Sequence, residues 1–300
     1  MASDFYLIGA LLEDKDPALK QGKKRIKKII ERKIGVSPVG IQPPSKYSLL
    51  TFGTIEGFGQ TKLLLCPYYH RSAGNCTIWK YREATCTSYF CKTVASEAGI
   101  AFWRALKEYL FQVEKGLCIY VLLEFNFDDI KEILAGFHFG PQQVQKISVA
   151  DLEELPPSPE NYRKTWQKWY SKEEEFYKKS YHLVRQISSQ KLNEIMGINQ
   201  EVQLRNLEKK WHNMMSIPSI LVKNPDLNSR KNENNNYLIR YKSIDTAFEF
   251  PAPALDAFDG SITTREVMKL LADKYHIELT EEFALSLYHY GILMEKPQDA

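Results

Sequence analysis

The sequence predicts an α+β fold, mostly helical, built as a cysteine-cluster body followed by a C-terminal winged-helix domain. Three observations carry this expectation: long stretches with apolar residues at helical spacing, four cysteines (Cys66, Cys76, Cys86, Cys91) within 26 residues, and a closing segment patterned as helix, turn, helix and strand. The chain has 300 residues, 44% hydrophobic and 26% charged. That ordinary globular composition excludes a disordered chain, a collagen-like repeat and a disulfide-dense miniprotein. The length suffices for two domains, expected at 1–223 and 237–300, with an asparagine-rich loop or linker at 224–236 between them.

Taken in chain order, the N-terminus carries Asp4 and only a short apolar stretch, Phe5 to Leu12, without the basic start or small-residue cleavage site of a secretory signal. No apolar run reaches the ~18 residues of a membrane span. A cytoplasmic location and reduced cysteines are therefore expected. Net charge is +3, but Lys20 to Lys33 holds eight basic residues against Glu31 alone, a local charge of +7. Ile26, Ile29, Ile30 and Ile34 recur there at helical spacing, so the segment reads as an amphipathic helix whose outer face could grip phosphates or anionic lipid. The rest of the chain is slightly acidic, so charge does not imply general nucleic-acid binding, and nucleic acid is not expected as the partner.

Irregular connections follow at Gly35–Pro38 and Pro43–Ser45. Strands are expected at 47–52 and 62–65, before the cysteine window. From about Thr93 a helix is expected, with Ala98, Phe102, Leu106, Tyr109, Leu110 and Val113 on one face and an end near Gly116. Further short helices are expected at 127–134 and 144–155. Ser158 and Pro159 make a helix start, and the aromatics that follow (Tyr162, Trp166, Trp169, Tyr170, Phe176, Tyr177, Tyr181) read as a packing face rather than a nucleic-acid platform. Gly197 should break this stretch before a helix over 200–215. Residues 224–236 then connect strands at 220–222 and 237–241.

The C-terminal segment contains a short helix over 251–258 stopped by Asp259-Gly260, then Thr263-Thr264-Arg265-Glu266 as a capping box. Val267, Leu270 and Leu271 form a core stripe. Thr280 caps a second helix with Phe283, Leu287 and Tyr290 turned inward, Gly291 ends it, and 292–294 returns as a strand. Phe258-Asp259-Gly260, the capped helix with Val267 and the closing apolar strand resemble the PqqD-like winged-helix domains. The resemblance implies a peptide- or protein-binding role and supplies no catalytic residue; DNA recognition, disfavoured by the lack of a basic surface, and a purely structural docking role stand beside it as alternatives.

The chemistry lies in the cysteine window. Four thiolates can complete a tetrahedral zinc site or carry an iron–sulfur cluster such as 4Fe-4S. The spacing leaves both open, because only Cys86 and Cys91 approach the close pairing usual in structural zinc sites. His70 is a candidate substitute ligand, and Cys118, inside an apolar run, is assigned to the core. The other histidines show no ligand spacing. Cys66-Pro67-Tyr68, Gly74-Asn75, Cys76, Ile78, Trp79, Arg82, Cys86, Tyr89 and Cys91 stand in the register of the YkgJ-type cysteine-cluster family, a zinc- or iron-chelating group, which the stretch 66–91 resembles. Glu83, Thr87 and Phe90 depart from its pattern, and no cysteine precedes Cys66. The resemblance therefore implies one four-ligand centre at Cys66, Cys76, Cys86 and Cys91. The expected function is a metal-binding protein with a redox or peptide-modification role; the alternative is a non-enzymatic binding module stapled by zinc. No phosphate loop, serine-nucleophile elbow, His-Glu-x-x-His or dinucleotide fingerprint occurs.

Overall fold

The structure, a computed structural model, describes residues 3–43, 65–88, 95–135, 155–240 and 247–297. The described residues are mostly helical, with small antiparallel sheets. They divide into two compact units, residues 1–89 with 109–201 and residues 90–108 with 202–300.

The first unit starts with β1 (Ser3–Asp4), which runs directly into α1 (Phe5–Glu13). Strand β1 pairs with β3 (Gly40–Ile41), which also closes a hairpin with β2 (Val36–Ser37). Helix α1 is apolar nearly all round and buries Phe5, Ile8, Leu11 and Leu12. The basic segment forms α2 (Lys20–Arg32), with Ile26 and Ile30 buried as its periodicity predicts and Lys33 closing it in the left-handed region at φ 59°.

Within the cysteine window α3 (Ala84–Thr87) is a single turn, and beyond it α4 (Ser96–Glu124) is the longest helix described. Gly116 does not end α4, contrary to expectation. A Cβ there would meet Met196 Sδ at 2.6 Å, so the residue permits a close approach, and the apolar run Leu117–Leu122 continues the helix into the core. Helix α5 (Ile130–Ala135) follows. Ser158 Oγ accepts the Asn161 N–H and Pro159 opens α6 (Pro159–Trp166), as read from the sequence. The stretch then breaks at Gln167, in the left-handed region at φ 48°, before α7 (Glu173–Arg185). Ser188 caps α8 (Ser189–Met196), and Gly197 separates it from α9 (Ile198–Met215). Tyr162, Trp166, Trp169, Phe176 and Tyr177 are buried in one aromatic cluster, with Trp166 and Phe176 edge to face at 5.5 Å, which bears out the packing reading for these five, while Tyr170 and Tyr181 are half-buried.

The second unit holds β6 (Leu221–Lys223), β7 (Ser229–Lys231), β8 (Asn236–Arg240), β9 (Ala247–Pro251), α10 (Ala252–Asp256), α11 (Thr264–Tyr275), α12 (Glu281–His289) and β10 (Leu293–Glu295). The asparagine-rich stretch lies inside this unit instead of between domains. It holds the β7–β8 turn, where Asn232 Oδ1 accepts the N–H groups of Asn234 and Asn236 and Asn235 takes φ 58°. The two strands that it connects, β6 and β8, do not pair with each other. Strand β6 pairs with β10 (Leu293↔Lys223), while β8 sits between β7 and β9. Lys223 Nζ and the Tyr237 hydroxyl both bind Asp256 Oδ1, at 2.6 and 2.9 Å, tying β6, β8 and α10 together.

Both bonds of the Thr263–Glu266 capping box form, and Thr280 Oγ1 accepts the Phe283 N–H. Val267, Leu271 and Leu287 enter the core as expected, whereas Leu270, Phe283 and Tyr290 are exposed. Phe283 instead stacks on Phe250 with ring centroids 6.1 Å apart. The strands expected at 47–52 and 62–65 and the helix expected at 144–155 lie outside the described residues apart from Leu65 and Leu155.

Candidate metal centre

Cys66 opens a tight turn in which the Tyr69 N–H reaches the Cys66 carbonyl at 3.0 Å. The backbone amides of Tyr68 and Tyr69 pull the Cys66 thiol down against its burial. Amide donors converging on a cysteine sulfur favour its thiolate, the form that binds metal. From this turn the chain enters β4 (Tyr69–His70), reverses through Arg71–Gly74 with Gly74 at φ 65°, and returns as β5 (Asn75–Cys76). The register sets Tyr69 opposite Cys76 and His70 opposite Asn75.

The hairpin is anchored to the core from both sides. Thr77 donates its N–H and its hydroxyl to the Tyr68 carbonyl, at 2.9 and 2.7 Å, while Tyr68 and Ile78 are buried. Arg25 on α2 reaches across to donate to the carbonyls of Pro67 and Tyr69, at 2.8 and 3.1 Å. A Cβ at Gly22 would fall 2.3 Å from the Thr77 carbonyl oxygen, so only glycine lets α2 approach this closely.

Cys86 arrives on α3. Glu83 caps this turn, its carboxylate accepting the N–H groups of Thr85 and Cys86 at 2.8 and 3.2 Å and also meeting the Cys86 thiol. The glutamate that departs from the family pattern thus has a local use. The charge of Cys76 opposes ionisation of Cys66, and that of Cys66 opposes ionisation of Cys86, but the three sulfurs are not gathered closely enough to hold a metal ion. Burial, then the repulsion of Cys76, holds the Cys66 thiol above its ordinary value against the pull of the amides. Burial, then the Glu83 charge, pushes Cys86 up to about 12. A cation is what would reverse such a balance.

The fourth expected ligand, Cys91, lies outside the described residues. His70 is turned to α2, its Nε2 3.3 Å from Gln21 Nε2 and 3.4 Å from Ser72 Oγ. Among the described residues, no group of three or more His, Cys, Asp or Glu side chains is gathered closely enough to hold a metal ion. Cys118 is buried on α4, as expected, and burial raises its thiol far above the ordinary range. His182 pairs with Glu13 at 2.7 Å, and His289 Nε2 lies 2.8 Å from the Met214 carbonyl oxygen.

Behind the thiols lie carboxyl groups that the sequence reading missed. Asp4, Glu83 and Glu114 are all buried. Glu114 Oε1 accepts the Ala84 N–H at 2.9 Å, and the Glu114 and Asp4 carboxyls hydrogen-bond each other. Burial and the neighbouring Asp4 hold Glu114 protonated, up to about 10, and burial with the Glu83 charge lifts Asp4 to about 7. Asp4 Oδ2 has no hydrogen-bond partner among the described residues. The signal was present at Glu114, an acid spaced with Leu117, Cys118 and Val121 on the buried face of α4.

No family model matches the chain, and no curated protein or solved structure matches it. No helix among the described residues is long and apolar enough to cross a membrane.

Proposed function

We propose that the chain is a metal-binding protein whose Cys66, Cys76, Cys86 and Cys91 hold one iron–sulfur cluster or zinc ion. What supports this reading is the cysteine window with its local fixtures: the Cys66 turn leads into a hairpin that sets Tyr69 opposite Cys76, Arg25 and Thr77 fix that turn, and Glu83 caps the turn that carries Cys86. An ion bound there would neutralise the thiolates and join the hairpin to α3; a cluster would in addition supply electron transfer. The chain's own residues hold the ligands in place, Glu83 by capping the Cys86 turn and Arg25 by fixing the Cys66 turn.

A second reading, a binding module in which zinc only staples the fold, draws support from the packing of Cys66 and Cys76 against the hydrophobic core. In either case the C-terminal order of helix, helix and returning strand supports a winged-helix module that engages a peptide or protein, in a cytoplasmic protein with reduced thiols. Metal and acid-labile sulfide analysis of anaerobically purified protein separates the readings. Brown protein with iron and sulfide is expected for the first, and colourless protein with one zinc for the second. Absence of both metals, with unchanged stability in Cys86→Ala, would overturn both.

A further inference from the structure

Asp4 stands where two sets of partners compete for its carboxyl. It is the residue before α1, and its backbone has the extended conformation of a helix cap, φ −64° and ψ 145°. An aspartate there ordinarily turns its carboxylate onto the amides of the second and third helical residues, here Tyr6 and Leu7. Asp16, Ser158, Ser188, Thr263 and Thr280 each accept such an amide at the start of their own helical segments. Asp4 does not: its side chain makes no capping bond to α1, whose first turn holds no other acid. It is turned inward, 7% exposed, to a hydrogen bond with the Glu114 carboxyl on α4. In that place its Oδ2 is left without a partner.

The inward place suits the protonated acid better than the anion. The groups that face Asp4 are themselves acids: Glu114 and Cys118 from α4, Glu83 from the start of α3 and Tyr6 from α1. Burial, and after it the Glu83 charge, keeps the carboxyl neutral up to about 7. Once ionised there, it would hold a buried charge with one hydrogen bond from Glu114 and a bare Oδ2. The cap position offers the anion more: amide donors, the positive end of the helix and solvent. The acid and the anion thus favour different places. A turn about the side-chain bonds separates the two, because the backbone already has the cap conformation.

We infer that Asp4 is a proton-operated latch: protonated, it ties β1 to α4 through Glu114; ionised, it swings out to cap α1 at Tyr6 and Leu7. Strand β1 is two residues long, paired at Ser3↔Ile41 and Asp4↔Gly40, so little backbone pairing competes with this side chain in fixing it. Glu114 also accepts the Ala84 N–H, at 2.9 Å, so the release of Asp4 is passed on to the turn that opens α3. The latch is independent of any metal at the cysteines.

NMR of the full chain from about pH 4 to about pH 9 tests the inference. The Asp4 carboxyl carbon should titrate in one step, with a midpoint above the ordinary 3.8 and no higher than about 7, because the cap favours the anion. Through the same step, hydrogen exchange at the Tyr6 or Leu7 amide, corrected for the intrinsic effect of pH, should slow about fivefold, the size expected of a helix cap. In Asp4→Asn, whose side chain has no proton to lose, that pH-dependent slowing should vanish. The wild-type titration decides the matter by itself should the variant fold poorly. Ionisation of Asp4 with exchange at Tyr6 and Leu7 unchanged or faster would overturn the inference, since the carboxyl would then ionise in place or loosen the strand. So would a midpoint at the ordinary value, an Asp4 that holds its proton to pH 9, or the same slowing in Asp4→Asn.

Discussion

Replacing Glu114 with glutamine tests the buried carboxyl pair behind the cysteines. The folded protein keeps Glu114 protonated up to about 10, because burial and then the adjacent Asp4 oppose its charge. The unfolded chain ionises a free glutamate near its ordinary value of 4.5. Above that pH the unfolded state therefore binds fewer protons than the folded state, and stability falls as pH rises. At ~1.4 kcal/mol per pH unit, Glu114 alone costs ~3 kcal/mol between pH 5 and pH 7. Asp4, raised to about 7, pulls in the same direction between 3.8 and that value. Glutamine has nearly the same shape, can accept the Ala84 N–H through its carbonyl oxygen and can donate to Asp4. It does not titrate, so it removes the Glu114 contribution and leaves that of Asp4, which burial and the Glu83 charge sustain. Urea unfolding of both proteins at pH 5, 6 and 7 should show the wild type losing stability about twice as steeply as Glu114→Gln, which keeps only the Asp4 contribution. The variant should lead by ~3 kcal/mol at pH 7. Parallel profiles across this window would refute the reasoning.

Two further outcomes concern packing and capping. Gly9→Ala should destabilise the first unit by about 2 kcal/mol in thermal or urea unfolding, since a Cβ at Gly9 would lie 1.9 Å from the Tyr177 carbonyl oxygen and a backbone atom cannot step aside. An unchanged melting temperature would contradict the close approach of α1 and α7. Thr263→Ala should cost ~1 kcal/mol by leaving the Glu266 N–H without its cap, and hydrogen exchange should rise in the first turn of α11; unchanged exchange there would contradict the cap.

The local devices were legible because each is written in neighbouring residues. The Ser158–Pro159 start, the Thr263–Glu266 box, the Thr280 cap and the breaks at Gly197 and Gly291 all depend on atoms within a few positions. The isoleucine stripe of α2 and the aromatic face around Trp166 were legible from period alone. Gly116 was misread because a glycine that permits a close contact looks the same in sequence as one that ends a helix. Leu270, Phe283 and Tyr290 were misassigned because spacing marks an apolar face without saying how wide a face the neighbouring elements cover.

The cysteine window divides in the same way. Its residue types, spacing and neighbours mark Cys66, Cys76, Cys86 and Cys91 as the expected ligands and set Cys118 aside in the core, where it is buried. Which groups stand around them was decided in three dimensions. Asp4 and Glu114 come to the same place from positions 110 residues apart, through the pairing of β1 with β3 and the packing of α4 into the core. His70 was drawn away toward Gln21 by the hairpin register. Sequence alone determined the local starts, stops and donor types of this protein, because those rest on short-range chemistry. Burial, charge pairing and the inward turn of Asp4 were set by tertiary structure, because only packing decides which side of each element meets water.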